Sequence, residues 1–156
     1  ALMWADLFLA SGGVLNFNNG NMTITHSAAS LALAGGTVLL TTATGGLGYG
    51  TGAGGTVTQA TNKSTGVTLN TVTGIITMNA ASLAADVTVA FTLTDSAIAA
   101  TDAVVVLHES GGTLGAYSFG STAAAGSVVI SVHNNTPAAL AEAIVLRFTV
   151  IKSVNA

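Results

Sequence analysis

Apolar and polar residues alternate in short runs through the last hundred residues of the chain. Alternation with a period of two is typical of a β-strand that has one buried face. Eight such runs recur at the spacing of about 8–12 residues that antiparallel sandwiches show. In order they are VTQA, GVTLN, GIITMN, DVTVAFTLT, DAVVVLHE, GAYSF, SVVISVHN and AIVLRFTVIKSV. The pattern predicts an all-β chain whose residues 56–156 form an antiparallel, jelly-roll-like β-sandwich.

The alternation also predicts which side chains fill the core of this sandwich. The expected core positions are Val87, Val89, Phe91, Leu93, Ile144, Leu146 and Phe148. The Ala- and Ser-rich segments 79–86 and 95–102 are expected to be loops or single turns. The run NNTPAALAEA has an N-cap residue followed by proline, which favours one helical turn before β-branched residues take over.

A hairpin signal stands near the N-terminus, where Asn19-Gly20 suits a type I′ turn. This turn aligns four apolar side chains on one face, and a second alternating piece adds two leucines. Because an isolated two-stranded hairpin is marginal in water, we expect other copies of the chain to cover this face. Residues 1–44 are therefore predicted to be an extended β-hairpin stalk that associates with other copies of the chain. The predicted oligomer-interface residues are Leu15, Phe17, Met22, Ile24, Leu31 and Leu33.

The stretch GGLGYGTGAGG, residues 45–55, separates this stalk from the sandwich. Gly50, Gly52 and Gly55 match the G-x-G-x-x-G motif, which binds a dinucleotide only where a helix follows it. The sequence that follows, TVTQATNKST, does not favour a helix. We therefore interpret the stretch as a glycine linker and expect no cofactor.

The amino-acid composition limits the classes of molecule that the protein can bind. Only 6% of residues are charged, against about 25% in a typical domain, and half are hydrophobic. Three Lys and Arg residues are too few for a nucleic-acid footprint, and no apolar run reaches the roughly 18 residues of a membrane span. The opening ALMWADLFLA contains an aspartate and lacks a basic leading region, so it is not expected to be a signal peptide. Cysteine is absent, so stability does not depend on disulfides.

Candidate catalytic and metal-binding groups are sparse. His26, His108 and His133 lack metal-ligand spacing, although one histidine from each of three chains would form a ring on a threefold axis. Asp95 and Asp102 flank one loop, where a glycosidase-like carboxylate pair and a calcium site are two alternatives. Turn aspartates more often accept backbone amides. We expect no catalytic, metal or cofactor-binding residue and no enzymatic activity.

Two blocks of the chain carry a family resemblance. The block LFLASGGVLNFNNGNMTITHSAASLALAGG resembles short modules of tailed-phage and prophage virion proteins. The block that begins GYGTGAGGTVTQATNKSTGVTLN and continues to EAIVLRFTVIKSV resembles a carboxy-terminal domain of phage fibre and appendage proteins. Together the blocks cover nearly the whole chain, and residues 48–70 carry the more specific likeness.

The resemblance implies a non-enzymatic structural protein of the virion, usually trimeric, that contacts other virion proteins. A tail fibre that attaches to a host-surface glycan or protein is one expectation. A head fibre or capsid decoration protein that stabilises the shell is the alternative, and a polysaccharide-degrading tailspike fragment is a third. Because the chain is short and poor in acidic residues, the enzymatic alternative is the weakest.

Overall fold

A computed structural model describes residues 44–155, and within this range the chain is all β, with eight strands and no helix. All eight runs of the sequence pattern coincide with strands. The strands are β1 (Gly54–Thr58), β2 (Val67–Thr68), β3 (Thr73–Thr77), β4 (Thr88–Thr94), β5 (Ala103–Ser110), β6 (Tyr117–Ala124), β7 (Ser127–Asn134) and β8 (Val145–Ile151). They form two four-stranded sheets, which confirms the predicted β-sandwich class.

Sheet A has the order β1-β3-β8-β5, and sheet B has the order β2-β4-β7-β6. The chain passes to the opposite sheet at every connection from β1 to β6. Each crossing between the sheets reverses the direction of the chain. After two crossings the chain is back in its first sheet and runs in its original direction. For this reason β1 pairs with β3, and β2 with β4, in parallel, while the other four pairings in this range are antiparallel. The sheets are thus mixed, where the spacing of the strands had predicted antiparallel pairing throughout.

The core lies between the two sheets, and both contribute aromatic and aliphatic side chains to it. Five of the seven predicted core residues are buried, and Val89 packs half-buried against them. Val87 is the exception, since 42% of its surface is exposed. Asp86 just before it has a φ of 55°, so the regular alternation of β4 starts only at Thr88. The buried predicted residues are Phe91, Leu93, Ile144, Leu146 and Phe148.

The predicted helical turn after Asn134 is absent. The Asn134 side chain does accept the amide of Thr136, at 3.0 Å, as an N-cap would. Its Nδ2 group, however, donates to three carbonyls, among them those of Leu83 and Ala138. Leu140 then forms an antiparallel bridge with Leu83. These pairings outside the segment hold it extended, whereas local propensity alone favoured a helix.

Candidate functional site

The six predicted interface residues all precede residue 44 and lie outside the described part of the chain. The stalk, its trimeric state and the domain division therefore stay predictions. Within residues 44–155, the features that bear on function are the two outer faces of the sandwich and the polar clusters at its ends.

The outer face of sheet A is rich in aliphatic side chains. On the side away from the core, the register places Arg147 between Leu107 and Ile75, and Val105 beside Thr149. Leu107 is 57% exposed and Val105 41%. The aliphatic residues of this face are Ile75, Val105, Leu107, Val145 and Ile151.

One ion pair lies within this apolar face. Arg147 donates from Nε and from a terminal nitrogen to the two carboxylate oxygens of Glu109, at 2.8 and 2.6 Å. Glu109 occupies the bulge between His108 and Ser110, which turns its carboxylate towards the neighbouring strand. The hydrogen bonds from Arg147 lower the pKa of Glu109. Because the two charges neutralise each other, the face carries no net charge from this pair.

The chain joins the sandwich on the same face. The Tyr49 hydroxyl donates to the carbonyl of Val150, which anchors the segment before β1 against β8. Leu47, two residues earlier, is 91% exposed. An apolar groove of about 380 Å³ is lined by this segment and by β8, through Leu47, Gly48, Tyr49, Thr149, Ile151 and Lys152.

The outer face of sheet B has a different chemistry. Its positions on β4, β6 and β7 are mainly threonine, serine, alanine and glycine. Val129, 45% exposed, is the one large aliphatic residue at these positions. His133 lies at one end, where its Nδ1 is 2.9 Å from the Thr88 hydroxyl and its Nε2 is 3.2 Å from Asp86. This face is therefore polar but nearly uncharged.

Asp95 and Asp102 bracket the loop from β4 to β5, and each binds backbone amides. Asp95 accepts the amide of Ala97 at 2.9 Å, and Asp102 accepts that of Ala99 at 2.7 Å. Lys152 also donates to Asp102, at 2.7 Å. These contacts are those expected of turn aspartates.

The pKa values of these two carboxyl groups are nevertheless shifted in opposite directions. The amide of Ala99, together with Lys152, lowers the pKa of Asp102. Burial raises the pKa of Asp95, against the opposing effect of nearby amides and Lys152. Asp95 is fully buried, and among residues 44–155 its Oδ2 atom finds no hydrogen-bond partner. Ionised Asp95 is thus a source of instability inside the fold.

A second polar cluster surrounds Glu142, which lies between β7 and β8 and contacts the connection between β5 and β6. Its carboxylate accepts the amide of Thr113 and the Tyr117 hydroxyl, both at 2.8 Å, and these bonds lower its pKa. Gly112 has a φ of 63°, and a Cβ there would lie 3.0 Å from the carboxylate. Lys63, buried nearby, donates to the carbonyl of Glu142 at 2.6 Å, and burial lowers its pKa. The cluster ties three loops together.

The histidines of the described range are hydrogen-bonded, as their isolation in sequence suggested. His108 Nε2 lies 2.6 Å from the carbonyl of Gly111 and 3.1 Å from that of Ser110. Its ring meets Tyr117 edge-on, with centroids 6.4 Å apart. His26 lies outside the described residues. Within residues 44–155, no group of three or more metal-ligating side chains comes together.

Sequence reasoning missed the outer face of sheet A, although a signal for it was present. The run AVVVL in β5 is apolar at consecutive positions, so it presents aliphatic groups on both sides of the strand. Continuous apolar runs are typical of strands that are covered on both faces.

No helix of residues 44–155 is long and apolar enough to span a membrane. Comparison of the chain with known protein families, curated proteins and solved structures gives no match.

Proposed function

We propose that this protein is a non-enzymatic structural component of a tailed-phage virion that acts as a homotrimeric fibre or appendage. The observation that carries the proposal is the aliphatic outer face of sheet A, in a chain with only 6% charged residues. An exposed apolar patch on an otherwise polar domain marks an interaction site. The likeness of both sequence blocks to virion modules supplies the class of assembly.

The state of the carboxylates supports a structural role. Asp102 and Glu142 accept backbone amides, and Glu109 is held by Arg147. Hydrogen bonds of this kind stabilise the charged form and fix loops, whereas a catalytic acid needs a raised pKa and access to substrate. Asp95 has the raised pKa, but it is fully buried.

Attachment to a host surface is the proposed task of the appendage. The hydroxyl-rich outer face of sheet B suits hydrogen bonding to an uncharged glycan, because serine and threonine hydroxyls both donate and accept. In the alternative, the same trimer decorates the capsid or forms a head fibre, and contacts the shell instead.

The test is the location of the chain on purified particles. Virions released by the cells that encode the chain are examined by mass spectrometry and by labelling with an antibody against residues 44–155. Label on a fibre or tail supports the proposal, and label spread over the capsid supports the decoration alternative. Absence of the chain from particles, together with a monomeric mass for the purified protein, would contradict the proposal.

A further inference from the structure

We infer that the outer face of sheet A is the surface on which a second copy of the sandwich packs within the oligomer. This inference rests on the proposed function, since it names the residues through which the proposed oligomer holds its sandwich domains together. It adds an interface to the one predicted for residues 1–44, and its residues were not expected from the sequence.

The first argument is the apolar content of the face. Five aliphatic side chains lie on it, whereas the equivalent face of sheet B has one. The exposed area of Leu107, Ile151 and Val105 is 57%, 53% and 41% of each residue's full surface. Removing such side chains from water is favourable in proportion to the apolar area that is buried. Sheet A therefore gains free energy from a cover, and sheet B gains little.

The second argument concerns charge and favours another copy as the cover. The ion pair of Glu109 and Arg147 is closed within one chain, so neither charge needs an opposite charge on a partner. Apart from that pair, the face consists of aliphatic and threonine residues, which suit contact with the same kinds of residue on other copies around a threefold axis. A partner with a strongly charged surface would instead lose hydration without gaining a new ion pair.

The third argument is the place where the preceding chain joins the sandwich. Forty-three residues precede the described range, and the chain reaches the sandwich on this face through Leu47 and Tyr49. If copies are joined through the forty-three preceding residues, each sandwich is tethered at the edge of its own apolar face. Tethering raises the effective concentration of one copy near another, so a weak interface is sufficient.

The size of the face indicates that the interface is weak by itself. Four strands about 4.8 Å apart, with about five residues each at ~3.3 Å, cover about 320 Å². A standard interface takes about 800 Å² from each partner. The face thus supplies less than half of a standard interface, and changes on it should weaken the oligomer without abolishing it.

A cross-linking experiment on the full chain tests the inference, and the absence of native cysteine makes its result unambiguous. Val105→Cys places a thiol on sheet A, and Val129→Cys places one at a valine of similar exposure, 41% against 45%, on sheet B. Each variant is oxidised with a copper catalyst and run on a denaturing gel without reductant. We expect cross-linked pairs from Val105→Cys and single chains from Val129→Cys.

A charge substitution supplies an independent measurement. Val105→Asp and Val129→Asp are compared by native mass spectrometry over a dilution series, with circular dichroism to show that both are folded. Burying an aspartate on the contact should raise the dissociation constant of the oligomer at least about tenfold for Val105→Asp. Val129→Asp should match the wild type.

The outcomes separate this inference from the proposed function. A wild-type chain that is monomeric at micromolar concentration would overturn both. An oligomeric wild type in which Val105→Cys gives no cross-link would overturn the inference and leave the proposed function standing. In that case ready reaction of the Val105→Cys thiol with a maleimide shows that the face is open to solvent, which excludes a second copy on it.

Discussion

The two sheets of the sandwich have similar inner faces and different outer faces. Inside, β4 and β7 of sheet B meet β3 and β8 of sheet A in one core of aliphatic and aromatic side chains. Outside, sheet A presents leucine, isoleucine and valine, and sheet B presents hydroxyl groups. A sheet in a solvated domain needs only one apolar face, so folding of the sandwich alone does not account for the second apolar face of sheet A.

If sheet A is the assembly surface that we propose, burial on one side and assembly on the other are encoded at alternating positions of the same strand. In β8, Leu146, Phe148 and Val150 are fully buried, while Val145 and Ile151 at the two ends of the strand face outward. Substitutions at the two sets of positions should have separable effects, on the stability of the fold and on association respectively.

Truncation of a core aromatic residue should affect both sheets equally. Phe148→Ala in sheet A and Phe91→Ala in sheet B each remove a buried ring, and Phe148 and Phe91 are 0% and 3% exposed. We expect each variant to lose about 3–5 kcal/mol of unfolding free energy, measured by urea denaturation. A loss confined to one of the two variants would mean that the sheets do not share the core equally.

Glycine substitution should distinguish the sheets. A Cβ at Gly74 in sheet A would lie 2.7 Å from both Leu69 and Phe148, which are packed side chains. A Cβ at Gly120 in sheet B would meet only the Ser131 hydroxyl, which can rotate away. Gly74→Ala should therefore cost about 1–3 kcal/mol of unfolding free energy, and Gly120→Ala less than about 1 kcal/mol. Equal thermal unfolding midpoints for the two variants would contradict this ranking.

Two aspartates of the loop from β4 to β5 should make opposite contributions to the pH dependence of the unfolding free energy. Burial raises the pKa of Asp95, so ionised Asp95 destabilises the fold above that pKa and the penalty disappears as the pH falls through it. Asp102 has a lowered pKa, so its contribution is present above the unfolded value near 3.8 and is lost as the pH falls through the folded value.

Asp95→Asn should therefore be more stable than the wild type at pH 7, and Asp102→Asn less stable. The difference for Asp95→Asn should shrink as the pH falls towards the unfolded value near 3.8, because the raised pKa of Asp95 lies above that value. The difference for Asp102→Asn should shrink only as the pH falls below that value, because the pKa of Asp102 is lowered. Unfolding midpoints in urea between pH 3 and pH 7 measure this. If Asp95→Asn lowers stability at pH 7, burial of the charge is not the dominant effect at that position.

The smallest effects are expected for the exposed ion pairs. Glu109→Gln breaks the pair with Arg147 on sheet A, and Asp86→Asn breaks the contact with His133 on sheet B. Solvent screens both contacts, so neither change should alter the unfolding midpoint measurably at 0.15 M salt. Glu109→Gln should still weaken association of the full chain, because it leaves Arg147 unpaired on the apolar face. Equal association of Glu109→Gln and Asp86→Asn would show that the pair on sheet A does not matter for assembly.

The sequence by itself determined the fold class, the eight strands and most of the core. Period-two alternation depends only on which side chains are removed from water. The burial that it predicted is confirmed for Phe91, Leu93, Ile144, Leu146 and Phe148. The same local logic correctly predicted that Asp95 and Asp102 bind turn amides. It was wrong at Val87, where the positive φ of Asp86 delays the strand, and after Asn134, where bonds to Leu83 replace a helical turn.

Only the tertiary structure decided how the strands are paired and which outer face is apolar as a whole. Alternation looks the same in parallel and antiparallel strands, so the pairing of β1 with β3 could not be derived from it. Val105, Ile75 and Ile151 lie on three different strands, and they form one surface only because β8 lies between β3 and β5. The alternation within one segment indicates how far each of its residues is buried. A surface shared by several strands depends on the order of the strands in the sheet, and the sequence of a single segment does not contain that order.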